Sequence, residues 1–335
     1  MIAPSLSTPP RRFSFLLPSD CERHTGGYVW DRRVVDELVG LGWAVNEHEL
    51  PPGFPRPGLS ARIGSARLLA GLPPDTLVLS ESYATSVMPE VLAAETRRLR
   101  LISIVHHPLA DEGDLAPADW NRLVALERAA LAHLTHVIVP SQLTAATLRS
   151  RYGVPASRIT LAYPGTDTAP LAVGSGSDEI HLLAVGAVSP RKDHLALIES
   201  LGTLRALPWR LRVVGSLTRF PDTVSAVRVR AASLGIAHRV ELTGECEPDV
   251  LAAARKHSDL VVSTSRHEGF GMALAEGIAC GLPVVAVASG AIAEWLTADA
   301  ALLVPPANPL VWQPPFASPS PIGRYASACV PARSA

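Results

Sequence analysis

One stretch, residues 266–296, constrains what this chain can fold into more than any other. A glycine–aromatic–glycine turn at 269–271 opens a run of small and apolar residues that predicts a helix. Gly281 follows in the position where glycine commonly ends helices. Apolar runs at 260–262 and 283–288 predict buried strands before and after the helix. The stretch therefore predicts a strand, a turn, a helix and a second strand, which is the repeating unit of α/β sheets.

Two carboxylates bracket this turn and point to a ligand. Glu268 precedes the glycines and Glu276 lies about a turn into the helix, with seven residues between them. A helix start presents backbone N–H groups that attract phosphate, and glycines let a ligand approach the backbone closely. Carboxylates accept hydrogen bonds from hydroxyl groups. A diphosphate with a polyol on either side, as in a sugar nucleotide, fits this pattern better than two solvated glutamates do.

The composition indicates a globular chain of about two domains. The sequence has 335 residues, 47% hydrophobic and 18% charged, and its net charge of −1 argues against nucleic-acid binding. Its four cysteines form no Cys-x-x-Cys pair, which fits a reducing compartment better than a disulfide framework or a zinc site. The sequence pattern predicts neither a signal peptide nor a membrane-spanning run. We expect a cytoplasmic protein, and peripheral contact with the inner face of a membrane stays compatible with the sequence.

Alternating strand and helix patterns predict two doubly wound domains. The alternation runs through residues 1–167, which we assign to an N-terminal domain. Residues 168–178 are small and aperiodic, and we interpret them as a linker. A second series of strands and helices occupies residues 179–310. Residues 311–335 form a tail rich in proline, serine and alanine without helical periodicity.

Further candidate residues follow predicted strands. His106 comes after a buried strand, at the edge where parallel sheets bind ligands, and a structural histidine is an equally good interpretation. Gly26 and Gly27 precede the first helix, where a tight turn explains them as well as a ligand does. Arg191 and Lys192 follow another strand and are suited to neutralise a diphosphate. Lysine is very scarce in this chain, so we favour a functional role over a solvated basic pair.

The sequence gives no support for a metal or a cofactor. A metal-dependent sugar-nucleotide enzyme would use an Asp-x-Asp pair to hold the cation, and none occurs in this chain. The sequence instead predicts that Arg191, Lys192 and the helix start neutralise the charge of the diphosphate.

These motifs together resemble the retaining glycosyltransferases of family 4, over roughly residues 13–305. The pair of Glu268 and Glu276 is the most specific match, and residues 185–194 resemble the basic phosphate loop of that family. The resemblance implies the GT-B architecture, in which two Rossmann-like domains face a cleft. It also implies transfer of a hexosyl group from a nucleotide-sugar donor to a glycan, lipid or small-molecule acceptor, with retention of anomeric configuration and without a bound metal or cofactor.

The resemblance implies a role for each candidate residue. Glu268 would contact the donor sugar, and Glu276 would bind the ribose of the nucleotide. Arg191 and Lys192 would stabilise the leaving diphosphate, and His106 would lie near the sugar and the acceptor. The backbone amides near the sugar and phosphates would come from Gly269, Phe270 and Gly271, and the residues lining the phosphate and acceptor side would be Gly26 and Gly27.

Two departures from the family pattern qualify this interpretation. Many relatives carry an arginine where this chain has Ala187, and Arg191 is the candidate to replace it. Family members also continue with helices that cross back to the first domain, whereas residues 313–335 turn irregular. We therefore expect a second domain without its closing helices, with low stability or impaired activity.

The alternative function is a catalytically impaired nucleotide-sugar-binding protein. A Rossmann oxidoreductase or sugar epimerase is disfavoured because no G-x-G-x-x-G occurs.

Overall fold

The chain forms two α/β units, each with its own parallel sheet. The computed structural model describes residues 11–19, 25–113, 115–297 and 299–306. Contacts divide these residues after Tyr163, except that residues 111–113 group with the second unit. The predicted domain boundary after residue 167 lies a few residues further along the chain. Six strands form each described sheet, which confirms the prediction of two doubly wound domains.

The first unit has the strand order β2-β1-β3-β4-β5-β6, with all neighbours parallel. Its strands are β1 (Arg12–Pro18), β2 (Ala44–Leu50), β3 (Leu77–Glu81), β4 (Arg100–Ile104), β5 (His136–Val139) and β6 (Ile159–Leu161). Its helices are α1 (Gly26–Gly40), α2 (Leu59–Ala70), α3 (Ser82–Thr85), α4 (Pro89–Glu95), α5 (Pro117–Ala132) and α6 (Gln142–Ser150). After its first residue β1 is buried throughout, because a parallel sheet is covered on both faces.

The second unit has the strand order β12-β11-β10-β7-β8-β9, again with all neighbours parallel. Its strands are β7 (Ile180–Val185), β8 (Trp209–Val214), β9 (Val240–Gly244), β10 (Leu260–Ser263), β11 (Val284–Val287) and β12 (Ala301–Val304). Its helices are α7 (His194–Thr203), α8 (Pro221–Ser233), α9 (Pro248–Lys256), α10 (Met272–Ala279) and α11 (Ile292–Trp295). The strand order reverses between β7 and β10. Ligands of such sheets bind beyond the carboxyl ends of the strands at this switch point.

The predicted linker is tied to the second unit by backbone hydrogen bonds. Ala172 N–H donates to the carbonyl of Cys280 at 2.8 Å, and Val173 N–H donates to that of Lys256 at 2.9 Å. Ser175 N–H donates to a carboxylate oxygen of Asp259 at 2.9 Å. The small residues of this segment therefore follow a fixed path over the second unit.

The predicted tail at 311–335 lies outside the described residues, and so does the region where closing helices would begin. Among the residues that the structure describes, no helix has the length and apolar character needed to cross a membrane.

Candidate functional site

Three predicted site residues of the second unit, the cations Arg191 and Lys192 and the carboxylate Glu268, lie together at its switch point. Arg191 and Lys192 lie in the loop after β7, and Glu268 lies in the loop after β10. These strands are hydrogen-bonded neighbours, so their carboxyl ends bring the two loops together. The first loop closes onto α7 through Asp193, which has a left-handed backbone at φ 48° and caps the helix with its side chain. The fold thus places three of the four predicted catalytic residues in one cluster.

Glu268 is a buried carboxylate held by both cations. Lys192 Nζ donates to its Oε1 at 2.6 Å, and Arg191 Nη1 lies 3.5 Å from its Oε2. Burial opposes ionisation, but Lys192 and Arg191 outweigh it and lower the pKa of Glu268 to about 2. At neutral pH this group is therefore a carboxylate. It can accept hydrogen bonds from sugar hydroxyls and has no proton to give.

The backbone of Glu268 is fixed by the loop after β11. Ala291 N–H donates to the carbonyl of Glu268 at 2.8 Å. Gly290 has φ +59°, and a Cβ at this position would lie 2.3 Å from the carbonyl oxygen of Glu268. Only glycine fits here, because both the conformation and the space exclude a side chain. The loop of 289–291 therefore holds the candidate sugar-contacting residue in place.

The glycine turn begins α10 as the sequence predicts. Gly271 is the N-cap with φ +100°, and no side chain caps this helix within the described residues. The Phe270 ring stacks on Trp295 with centroids 5.1 Å apart, and Trp295 Nε1 donates to the carbonyl of Phe270 at 2.8 Å. Gly269 is buried beside Glu268. The aromatic residue of the turn thus has a packing role, and the helix start belongs to a kind of backbone that attracts anions.

Glu276, the second glutamate of the motif, has a different partner. It lies on α10 and pairs with Arg255 of α9, and its side chain is 23% exposed. The predicted ribose-binding carboxylate is therefore already ion-paired in this structure. Sequence reasoning did not identify Arg255, which lies in the last turn of α9.

The loop after β7 depends on Gly186, which has φ +144°. A Cβ here would lie 2.8 Å from Cε of Lys192, so the lysine crosses directly over this glycine. His194, the first residue of α7, is buried behind the lysine. Burial and then Lys192 lower its pKa to about 4, so its ring is neutral at physiological pH.

Two charged residues that the sequence analysis missed extend this cluster. Arg191 Nε donates to Glu112 Oε2 at 3.1 Å, and Arg219 Nη2 lies 3.4 Å from Glu112 Oε1. Arg219 follows β8 as Arg191 follows β7, and its position after a predicted strand and glycine was the available signal. Nothing in the sequence pattern indicates Glu112.

His106 and Gly27 form a second cluster, in the first unit. A Cβ on Gly27 would lie 3.0 Å from the His106 ring, so this glycine lets α1 pack against the histidine. His106 Nε2 lies 3.1 Å from Oδ1 of the buried Asp31 and 3.9 Å from Glu81 Oε1. The Trp30 ring meets the imidazole edge-on at 5.2 Å. The neighbouring Gly26 is exposed at the start of α1, after Thr25 caps the helix.

Asp31 sets the charge of His106. Burial favours the neutral imidazole, but the Asp31 carboxylate outweighs it and raises the pKa of His106. Burial raises the pKa of the Asp31 carboxyl in turn, and His106 opposes that rise. Asp31 lies four residues after Gly27 on the same helix face, which is the signal that could have identified it.

The same three groups are close enough to hold a metal ion. The ligand atoms of Asp31, Glu81 and His106 all lie within 4.8 Å of one another. The three side chains can also lie this close without a metal ion, because His106 Nε2 attracts both carboxylates. The absence of a metal from the reaction stays a prediction.

Two family models match the chain, and each covers one unit. Residues 31–170 match Glycosyltransferase Family 4, and residues 179–312 match Glycosyl transferases group 1. The second match contains the whole cluster of Glu268, Arg191 and Lys192. The first contains His106, Asp31 and Glu81.

Curated relatives with similar sequences are sugar-transferring enzymes. The chain is 30% identical to a D-inositol 3-phosphate glycosyltransferase of Segniliparus rotundus, over 62% of this chain and 49% of the relative. It is 25% identical to an MMP alpha-(1->4)-mannosyltransferase of Mycolicibacterium hassiacum, over 76% of this chain and 64% of the relative. The chain thus spans about half of the first relative's length and less than two thirds of the second's.

Solved structures share the fold over most of the chain. Sucrose-phosphate synthase from Thermosynechococcus elongatus has a TM-score of 0.73 at 19% identity, covering 90% of this chain and 87% of its own. The Anabaena protein HepE, solved in complex with UDP and glucose, has a TM-score of 0.70 at 19% identity and covers 89% and 87%. These likenesses establish the GT-B fold that the sequence predicts.

Proposed function

The chain belongs to the glycosyltransferases of family 4 and group 1, and from this premise we propose that it transfers a hexosyl group from a nucleotide-sugar donor to an acceptor. The relatives' activities, D-inositol 3-phosphate glycosyl transfer and mannosyl transfer, support a sugar donor and a hydroxyl-bearing acceptor. The proposal includes retention of anomeric configuration and independence of metal, which the resemblance implies.

The single observation that carries this proposal is the buried cluster of Glu268, Lys192 and Arg191. Breaking the bond between a sugar and a nucleoside diphosphate leaves negative charge on the departing phosphate. Two cations fixed at the switch point are suited to stabilise that charge without reorganisation. The helix start at Gly271, three residues after Glu268, would add backbone amides and the positive end of a helix dipole.

Glu268 is then the group that recognises the sugar. Its low pKa keeps it ionised, so it accepts hydrogen bonds from donor hydroxyls and cannot act as a general acid. The two cations that hold it are the same groups that would stabilise the diphosphate. Sugar recognition and leaving-group stabilisation are thereby joined in one rigid unit.

The proposal is tested by turnover of a panel of UDP-, GDP- and ADP-hexoses, assayed with and without EDTA. We expect release of the nucleoside diphosphate from one donor class, undiminished by EDTA. NMR of the product would show the anomeric configuration of the donor. Inversion at the anomeric carbon would contradict retention, and loss of turnover in EDTA would contradict metal independence.

Matched variants separate catalysis from folding. Glu268→Gln and Lys192→Met should reduce kcat/KM by at least about 100-fold, because each removes a charge from the buried cluster. Glu199→Gln is the control, since Glu199 is ion-paired with Arg230 on the surface of the same unit. Equal activity of Glu268→Gln and Glu199→Gln would refute the assignment. Donor binding without turnover in the unaltered chain would instead support the alternative of a catalytically impaired binding protein.

A further inference from the structure

The cluster at the switch point continues into a chain of alternating charges. Lys192 pairs with Glu268, Glu268 with Arg191, Arg191 with Glu112, and Glu112 with Arg219. All five side chains are mostly buried: Arg219 is the most exposed at 20% and Glu268 the least at 9%. Three cations and two carboxylates therefore share a partly dehydrated site.

Glu112 is the member of this chain that the proposed chemistry does not use. Its carboxylate receives one guanidinium on each oxygen, Arg191 Nε on Oε2 and Arg219 Nη2 on Oε1. Arginine binds carboxylates and phosphates with the same planar arrangement of donors. We call the two guanidinium groups of Arg191 and Arg219 the anion seat.

The position of the anion seat suits the diphosphate of a donor. Arg219 follows β8, which lies beside β7 in the sheet, so it reaches the same carboxyl edge as Arg191. Arg219 supplies a second guanidinium from the neighbouring loop.

The net charge of the cluster determines whether the anion seat favours Glu112 or a diphosphate. With Glu112 in place, the five groups carry three positive and two negative charges, a net charge of +1. With Glu112 withdrawn, the remaining four carry three positive and one negative charge, a net charge of +2. A diphosphate matches the second state, and its close approach to Glu112 would place like charges together at a cost in free energy.

We propose that Arg219 is a further diphosphate-binding residue and that Glu112 occupies the anion seat until the donor displaces it. This inference rests on the proposed function for the identity of the anion. Glu112 lies in the connection between Leu109–Asp111 and α5, outside any helix or strand. Its withdrawal therefore breaks two ion pairs without unfolding an element of the sheet.

The test is binding of inorganic pyrophosphate and of nucleoside diphosphates, measured by titration calorimetry on the full chain. Arg219→Gln should weaken pyrophosphate binding roughly tenfold, because it removes a charge-assisted hydrogen-bond donor. Glu112→Gln should tighten it several-fold, because the neutral amide competes less well for the two guanidinium groups. Arg219→Gln should cost more in the Glu112→Gln background than alone, since Glu112 no longer blocks the seat.

The matched controls are Glu199→Gln and Arg230→Gln, which remove the same charges from an ion pair between α7 and α8. Both should bind pyrophosphate as the unaltered chain does, and thermal unfolding should show all variants folded. Unchanged pyrophosphate binding in folded Glu112→Gln and Arg219→Gln would overturn the inference, even if the chain turns over a sugar nucleotide. Altered binding in both variants with no turnover of any donor would support the anion seat and refute the proposed function.

Discussion

At the scale of single residues, this protein controls charge by pairing buried groups. Glu268 stays ionised because Lys192 and Arg191 surround it, and His106 gains affinity for a proton from Asp31. In both cases burial alone would favour the neutral form. The partner therefore decides the protonation state, and its removal should reverse the direction of the pKa shift.

The pKa of His106 should depend on its pairing with Asp31. In the unaltered chain, we expect NMR titration to show a His106 pKa above the ordinary value of about 6.5. Asp31→Asn removes the attracting carboxylate while burial persists, so the His106 pKa should fall below its ordinary value. Asp36→Asn, at an exposed site on the same helix, is the control and should leave it unchanged. An unaltered His106 titration in folded Asp31→Asn would exclude Asp31 as the cause.

At the scale of elements, α10 lies close against the sheet because it contains Gly277. A Cβ at Gly277 would lie 2.8 Å from Cγ2 of Val261, on the neighbouring strand β10. A β-branched side chain in a strand has little freedom to move away. The glycine thus sets the distance between the strand before the candidate site and the helix after it.

Gly277→Ala should therefore destabilise the second unit. Overpacking costs about 1–3 kcal/mol, and the better helix propensity of alanine offsets up to about 1 kcal/mol. Gly40→Ala is the matched control, because it also lies in a helix and a Cβ there meets nothing within 4 Å. In urea unfolding we expect a lower midpoint for Gly277→Ala and an equal or higher one for Gly40→Ala. A Gly277→Ala protein as stable as Gly40→Ala would show that the contact relaxes freely.

At the scale of the whole molecule, the two units have separate cores. Buried residues of the first unit cluster around Leu16, Met88 and Leu148, whereas those of the second cluster around Leu197 and Val227. The three cations proposed to hold the diphosphate, Arg191, Lys192 and Arg219, belong to the second unit. A ligand that binds a folded unit stabilises that unit by mass action.

Hydrogen exchange should reveal this division. We expect a nucleoside diphosphate to slow amide exchange in residues 186–193 and 264–272, and to leave the sheet of the first unit unaffected. Arg191→Gln should abolish the protection, since it removes a cation of the anion seat, while Arg230→Gln should preserve it. Protection confined to the first unit would place the ligand elsewhere.

The two-sheet fold and most of the charged cluster in the second unit could be predicted from the sequence. Arg191, Lys192 and Glu268 each follow a strand of a parallel sheet, and parallel strands bring such residues to one edge. Glu112 was not accessible, because it lies outside the regular elements and its partners are distant in sequence. Helix α2 was missed too, since its buried stripe is Ala61, Ser65 and Leu69, with little contrast to its exposed face. Ser65 is tolerated there because its hydroxyl donates to the carbonyl of Ala61.

The fit of Gly290 against the backbone of Glu268 has a consequence for protein engineering. In a chimaera that imports only residues 264–272, the new backbone around position 268 would have to pack against the original loop of 289–291. That loop fits the backbone of Glu268 in its present position. Exchange of 264–272 together with 289–291 keeps both halves of the interlocking surface. The two loops should therefore be exchanged together, although α10 and β11 separate them in the sequence.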